Sequence, residues 1–176
     1  MPRFFVPKEN INGDKILITG EDVGHISRVL RMTAGDELLL CDGKGFDYKA
    51  EIADINKEKI ECKIISSSKS DTEPNISVTL FQGIPKASKM EYIVQKNTEL
   101  GIKKIVPCIL SRCVVKLDGQ KAAEKKRDRW QKIAESAAKQ SGRGIVPEIA
   151  MPMTLDSAID ELREYDIVFV PYECEE

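Results

Sequence analysis

A chain of 176 residues, 41% hydrophobic and 32% charged, holds enough apolar material for one large or two small globular domains, and its composition argues against disorder. Five cysteines (Cys41, Cys62, Cys108, Cys113 and Cys174) with no CxxC pair, and His25 as the only histidine, argue against a disulfide framework, a bound metal and any catalytic centre that needs two histidines. The net charge of −2 hides an asymmetry, because eight acids face the single base Arg163 from Met151 onward, leaving the first 150 residues at +5.

The opening MPRFFVPKEN lacks the apolar run of a signal peptide, and no later stretch approaches the roughly 18 apolar residues of a membrane span, so a cytoplasmic protein is expected. KILITG at 15–20 is a short apolar run. In EDVGHISRVLRM, Val23, Ile26, Val29 and Leu30 recur at helical spacing, with Glu21 or Asp22 in reach of the helix start. After the turn AGDE come ELLLCD, the turn DGKG, FDYKAEIADI, the break NKEK and IECKIISSS, which read as a meander of strands. Residues 1–70 are therefore expected to form a small β-rich barrel with one helix.

SSSKSDTEPN at 66–75 is polar and without apolar period; it reads as a linker, with 71–75 separating the barrel from a second domain at 76–176. There ISVTLFQG is a strand. SKMEYIVQKNTELG is a helix opened by a Ser88/Glu91 capping box and closed at Gly101, with Ile93, Val94, Asn97 and Leu100 approximating its buried side. IKKIVPCIL is a second strand, residues 122–141 a long helix, Thr154 the cap of LDSAIDELREY, and DIVFVP a third, buried strand. Strands alternating with helices imply a largely parallel α/β sheet.

The segment from Lys121 to Arg143 is the most basic, with eight bases against Glu124, Asp128 and Glu135. On a helical wheel Trp130, Ile133, Ala134, Ala137 and Ser141 fall together, while Arg129, Lys132, Lys139 and Arg143 share another sector with no acid. Exposed helices ordinarily alternate charge to gain pairs one turn apart, so this sector points to an anionic partner.

RFFV, HISRVLRMTAGDELLLCDGKG, QKNTELGIKKIVP and RWQKIAESAAKQSGRGIVP occur in the order seen in RsmE-type ribosomal RNA methyltransferases, and the resemblance spans nearly the whole chain. It implies a PUA-like RNA-binding barrel followed by a SPOUT methyltransferase domain. It also implies a homodimer that uses S-adenosyl-L-methionine to methylate uridine N3 in small-subunit (16S) ribosomal RNA. The family continues past the strand resembling DIVFVPYE into a GPEGG loop and an LGxRILRxETA segment that form the knotted cofactor pocket. Neither motif is in this sequence, so a truncated chain with an incomplete α/β domain is expected, and a non-catalytic RNA-binding module is the alternative reading. The resemblance makes Pro171, Tyr172 and Glu173 the first edge of the donor pocket.

Arginine suits RNA because its planar fork pairs with phosphate and stacks on unpaired bases. The expected RNA contacts in the barrel are Arg3, His25, Arg28 and Arg31, and in the second domain Lys86, Arg112, Arg129, Lys132, Lys139 and Arg143. DGKG is expected to be a hairpin turn, since no helix comes after it to cradle a phosphate. Glu99 is read as a helix-surface carboxylate paired with lysine rather than a general base. Uridine N3–H is a weak acid on the pairing edge, so transfer requires an unpaired or flipped uridine and cations or a base that favour its anion. No residue is assigned as that base.

Overall fold

The computed structural model describes residues 1, 3–86, 88–111 and 119–171. Alternating apolar and polar residues in the first part build β1 (Arg3–Phe5), β2 (Ile11–Asn12), β3 (Lys15–Thr19), β4 (Glu37–Cys41), β5 (Phe46–Ile55) and β6 (Lys59–Lys69). They form one sheet in the order β1-β4-β5-β6-β3-β2, antiparallel except for the β1–β4 pair. Ile16, Ile18, Leu38, Leu40, Ala50, Ile52, Ile60 and Cys62 all point inward at a period of two and share one core with Phe4 and Val6. Burial pushes the Cys62 thiol up to about 11, which keeps it protonated and inert. Register shifts at Lys49/Ala50 and Ile52/Asp54 bend β5, and the sheet wraps the core as a half-barrel. A short helix, α1 (Glu21–Gly24), adds Val23 to that core.

The expected linker is shorter than its composition suggests. Ser66–Lys69 pair with Phe46–Lys49, so β6 runs on through four polar residues, because ladder hydrogen bonds need no apolar side chain. Asp42 Oδ1 accepts from the N–H groups of Lys44 and Phe46 at 2.8 and 3.0 Å, so DGKG is the hairpin turn expected.

The second part is a parallel sheet of β7 (Thr79–Gly83), β8 (Lys104–Ile109), β9 (Glu148–Ile149) and β10 (Met153–Thr154), with β8 between β7 and the two short strands. Successive residues of β8 serve opposite faces. Ile105 meets Met90 and Val94 of α2 (Lys89–Glu99) and Trp130 and Ala134 of α3 (Gln120–Ser141). Val106 and Cys108 meet Ala158 of α4 (Leu155–Leu162), where Phe81 lies edge-on to Tyr165 at 5.6 Å. Thr154 caps α4 as expected, accepting from Ser157 N at 3.3 Å.

Three local expectations give way. The Ser88/Glu91 capping box does not form: the Glu91 carboxylate pairs with Arg129 at 2.7 Å, and Ser88 closes the turn only through its carbonyl. Leu100, expected on the buried side of α2, lies at its C-terminal stop and is 81% exposed. Thr98 is buried instead, its hydroxyl satisfied by the Val94 carbonyl at 2.7 Å. DIVFVP is not a strand: no described strand lies beside it, so Ile167, Val168, Phe169 and Val170 stay exposed. Among the described residues no helix is long and apolar enough to cross a membrane, and no group of three or more His, Cys, Asp or Glu could hold a metal ion.

Candidate nucleic-acid interface

The barrel helix departs from the regular spacing that its sequence suggests. Beyond Gly24 it widens into a π turn, His25–Val29, in which the Leu30 N–H reaches back five residues to the His25 carbonyl at 3.0 Å. One extra residue in the turn rotates Val29 and Leu30 off the apolar stripe. Val23 and Ile26 are buried as expected, whereas Val29 and Leu30 are 69% and 40% exposed and Met32 packs on the core in their place. The chain recovers through Arg31, whose φ of +56° is the one left-handed non-glycine among the described residues. Arg28 and Arg31 are exposed beside this tip, and neither meets a carboxylate within ion-pair distance among the described residues. His25 is exposed too, its ring edge-on to Phe4 at 5.8 Å.

Helix α3 buries Trp130, Ala134 and Ala137, as its apolar spacing predicts, and Ala138 with them, whereas Ile133 is half-buried and Ser141, expected on the same face, is exposed. Its other side is less uniform than the wheel suggests. Arg129 is tied to Glu91, and Lys139 reaches across to Asp22 of α1 at 3.0 Å. Lys132 is exposed without an acidic partner among the described residues, and so are Lys121 and Lys125. Lys121, Lys125, Arg129 and Lys132 line an open groove with Glu91, Glu124 and Asp128. Lys121 and Lys125 are not among the contacts expected from the sequence. Their spacing of four residues, continued by Arg129, is the signal that could have found them.

Arg143 does not belong to that face. Gly142, at φ +72°, ends α3 in the left-handed conformation and turns Arg143 inward. It is 4% exposed, and its guanidinium donates to the Thr98 and Ile102 carbonyls at 3.2 and 2.6 Å and to Glu73 at 2.5 Å. The other Glu73 oxygen accepts from Gly144 N and Ile145 N at 2.8 and 2.9 Å. Burial opposes ionisation of Glu73, but the Arg143 guanidinium and the two N–H groups outweigh it and hold the carboxyl below its ordinary range. Arg3 is spent in the same way. It donates to Asp47 at 2.6 Å, Ser70 at 3.1 Å and the Gly142 carbonyl at 2.5 Å. The sequence points both arginines at RNA; both instead clasp the barrel, the linker and the end of α3 together. Gly144 permits this closeness, since a Cβ there would collide with the Ser70 side chain.

The architecture has counterparts among known proteins. A family model described as an RNA methyltransferase PUA domain matches residues 18–65, and one described as an RNA methyltransferase domain matches 72–176. The ribosomal RNA small subunit methyltransferase E of Bacillus subtilis is 39% identical over 98% of this chain and 68% of its own length. The chain belongs to the ribosomal RNA small subunit methyltransferase E (RsmE) family. The Synechocystis member is 29% identical, over 91% of this chain and 50% of its own length. The crystal structure of the Neisseria gonorrhoeae RsmE bound to S-adenosyl methionine superposes with a TM-score of 0.77 at 34% identity, covering 92% of this chain and 65% of that one. The chain thus spans between half and about two thirds of the length of these RsmE proteins.

In RsmE terms the half-barrel is the PUA part, and the parallel sheet with its helices is the methyltransferase part. Lys86 is exposed in the loop at the carboxyl end of β7, the edge where open parallel sheets present ligand sites. Pro171 comes directly after the exposed apolar run; Tyr172, Glu173 and Arg112 lie outside the described residues. Gly83 lets Leu110 pack close to the end of β7, since a Cβ there would meet Leu110 Cδ1 at 2.6 Å. Of the expected donor-pocket edge only Pro171 is among the described residues, and it alone defines no cradle for S-adenosyl-L-methionine.

Proposed function

We propose that this chain serves methylation of uridine N3 in 16S ribosomal RNA by S-adenosyl-L-methionine, and that its own share of the task is to grip the RNA. The observation that carries this reading is the ion pair between Lys139 and Asp22. It joins the start of the barrel helix to the C-terminal part of α3, while Arg28 and Arg31 on the barrel and Lys121, Lys125 and Lys132 further back along α3 stay exposed. With the Arg3 and Arg143 clasp, these surfaces form one unit that binds phosphates through its unpaired cations. Cations gathered there also favour the anion that uridine becomes when its N3 proton leaves, and S-adenosyl-L-methionine, when bound, supplies the electrophilic methyl group.

A second reading, a non-catalytic RNA-binding module, rests on the exposed cations alone, Arg28, Arg31, Lys121, Lys125 and Lys132. Incubating the chain with isolated small ribosomal subunits and methyl-labelled donor, alongside calorimetry with the donor alone, separates the two. Label in N3-methyluridine supports the first. Salt-dependent RNA binding with no label and no heat supports the second, and absence of RNA binding refutes both.

A further inference from the structure

We propose that Val29 and Leu30 form an apolar wedge that packs against unpaired bases of the RNA, between phosphates held by Arg28 and Arg31. This wedge rests on the RNA-gripping function and adds how the grip selects its target. The sequence places Val29 and Leu30 on the same stripe as Val23 and Ile26, so an ordinary helix would bury them. The fold turns them out by two unfavourable devices. One is the π turn closed by Leu30 N–H on the His25 carbonyl. The other is Arg31 at φ +56°, a left-handed conformation that side-chain-bearing residues rarely adopt. The left-handed Arg31 in turn lets Met32, its N–H on the Ile26 carbonyl at 3.1 Å, close that end of the barrel in place of Val29 and Leu30.

The result is four consecutive exposed residues, cation, apolar, apolar, cation. That pattern is complementary to a nucleic-acid strand whose charged backbone flanks apolar base faces, and apolar side chains are the ones that part stacked bases. Between the two arginines Val29 and Leu30 carry no ring, so aliphatic insertion is the mode that their own chemistry allows. A fully paired duplex offers no exposed base face in its deep, narrow groove, so the wedge discriminates loops from stems.

The test compares wild type with Val29→Ser/Leu30→Ser on two RNAs of equal length, one a hairpin with an unpaired loop carrying 2-aminopurine, the other a blunt duplex. The double variant is expected to bind the hairpin about tenfold more weakly and to lose the 2-aminopurine fluorescence rise. Its duplex affinity and the slope of its affinity against salt stay at wild-type values. Leu30→Phe, which keeps an apolar tip, should retain the hairpin preference. Equal losses on both RNAs, or undiminished hairpin binding with the fluorescence rise intact, would overturn the wedge. Failure of wild type to bind either RNA would instead overturn the function on which it rests.

Discussion

Arg143→Ala is expected to destabilise the chain by about 3–5 kcal/mol, the scale on which a buried pair loses one partner. The guanidinium is nearly inaccessible, and its removal strands the Thr98 and Ile102 carbonyls together with one Glu73 oxygen. Urea unfolding followed by circular dichroism measures the cost. Arg143→Met combined with Glu73→Met should cost less than Arg143→Ala alone, since no charge is then left unpaired. The same site governs acid stability. The Glu73 carboxyl titrates below its ordinary 4.5 in the folded chain, so its contribution is complete above that value and disappears as pH falls through the lowered one. Glu73→Gln should flatten the loss of stability over that window, and an unchanged acid limb would contradict the assignment.

Reversal of Arg28, Arg31 and Lys132 to glutamate should lower capture of small ribosomal subunits by roughly a hundredfold, because three phosphate contacts become repulsions. All three side chains are exposed and without acidic partners among the described residues, so the unfolding free energy should stay within about 0.5 kcal/mol of wild type. Arg143 is left out of this set, since its reversal would report on folding. Capture at wild-type strength by a folded triple variant would refute the interface.

The division into a β-rich and an α/β part is legible in the sequence because period two and period 3.6 leave different marks on apolar residues. Trp130, Ala134 and Ala137 announce the buried face of α3 in the same way, though Ser141, on the same stripe, lies exposed. The tip of α1 is not legible. Val29 and Leu30 carry a helical period, and nothing in residue type shows that a single backbone hydrogen bond will skip one residue further and turn them outward. Arg3 and Arg143 mislead for a related reason. An arginine is equally suited to phosphate and to a cluster of carbonyls with one carboxylate, and only the approach of Glu73, from 70 residues away in sequence, decides between them. DIVFVP shows the limit of reading apolar runs as strands, since pairing depends on what lies alongside.

Whether both parts of the chain hold one RNA is decided by the slope of log affinity against log salt for a single 16S fragment. It should be measured on wild type, on Arg28→Gln/Arg31→Gln, on Lys121→Gln/Lys132→Gln, and on all four changes together. Each pair is expected to lower the slope by about 1.4, near 0.7 per lost contact on a single strand, and the combined variant to lose the sum. A slope that responds to one pair and ignores the other would mean that only one part of the chain touches the RNA.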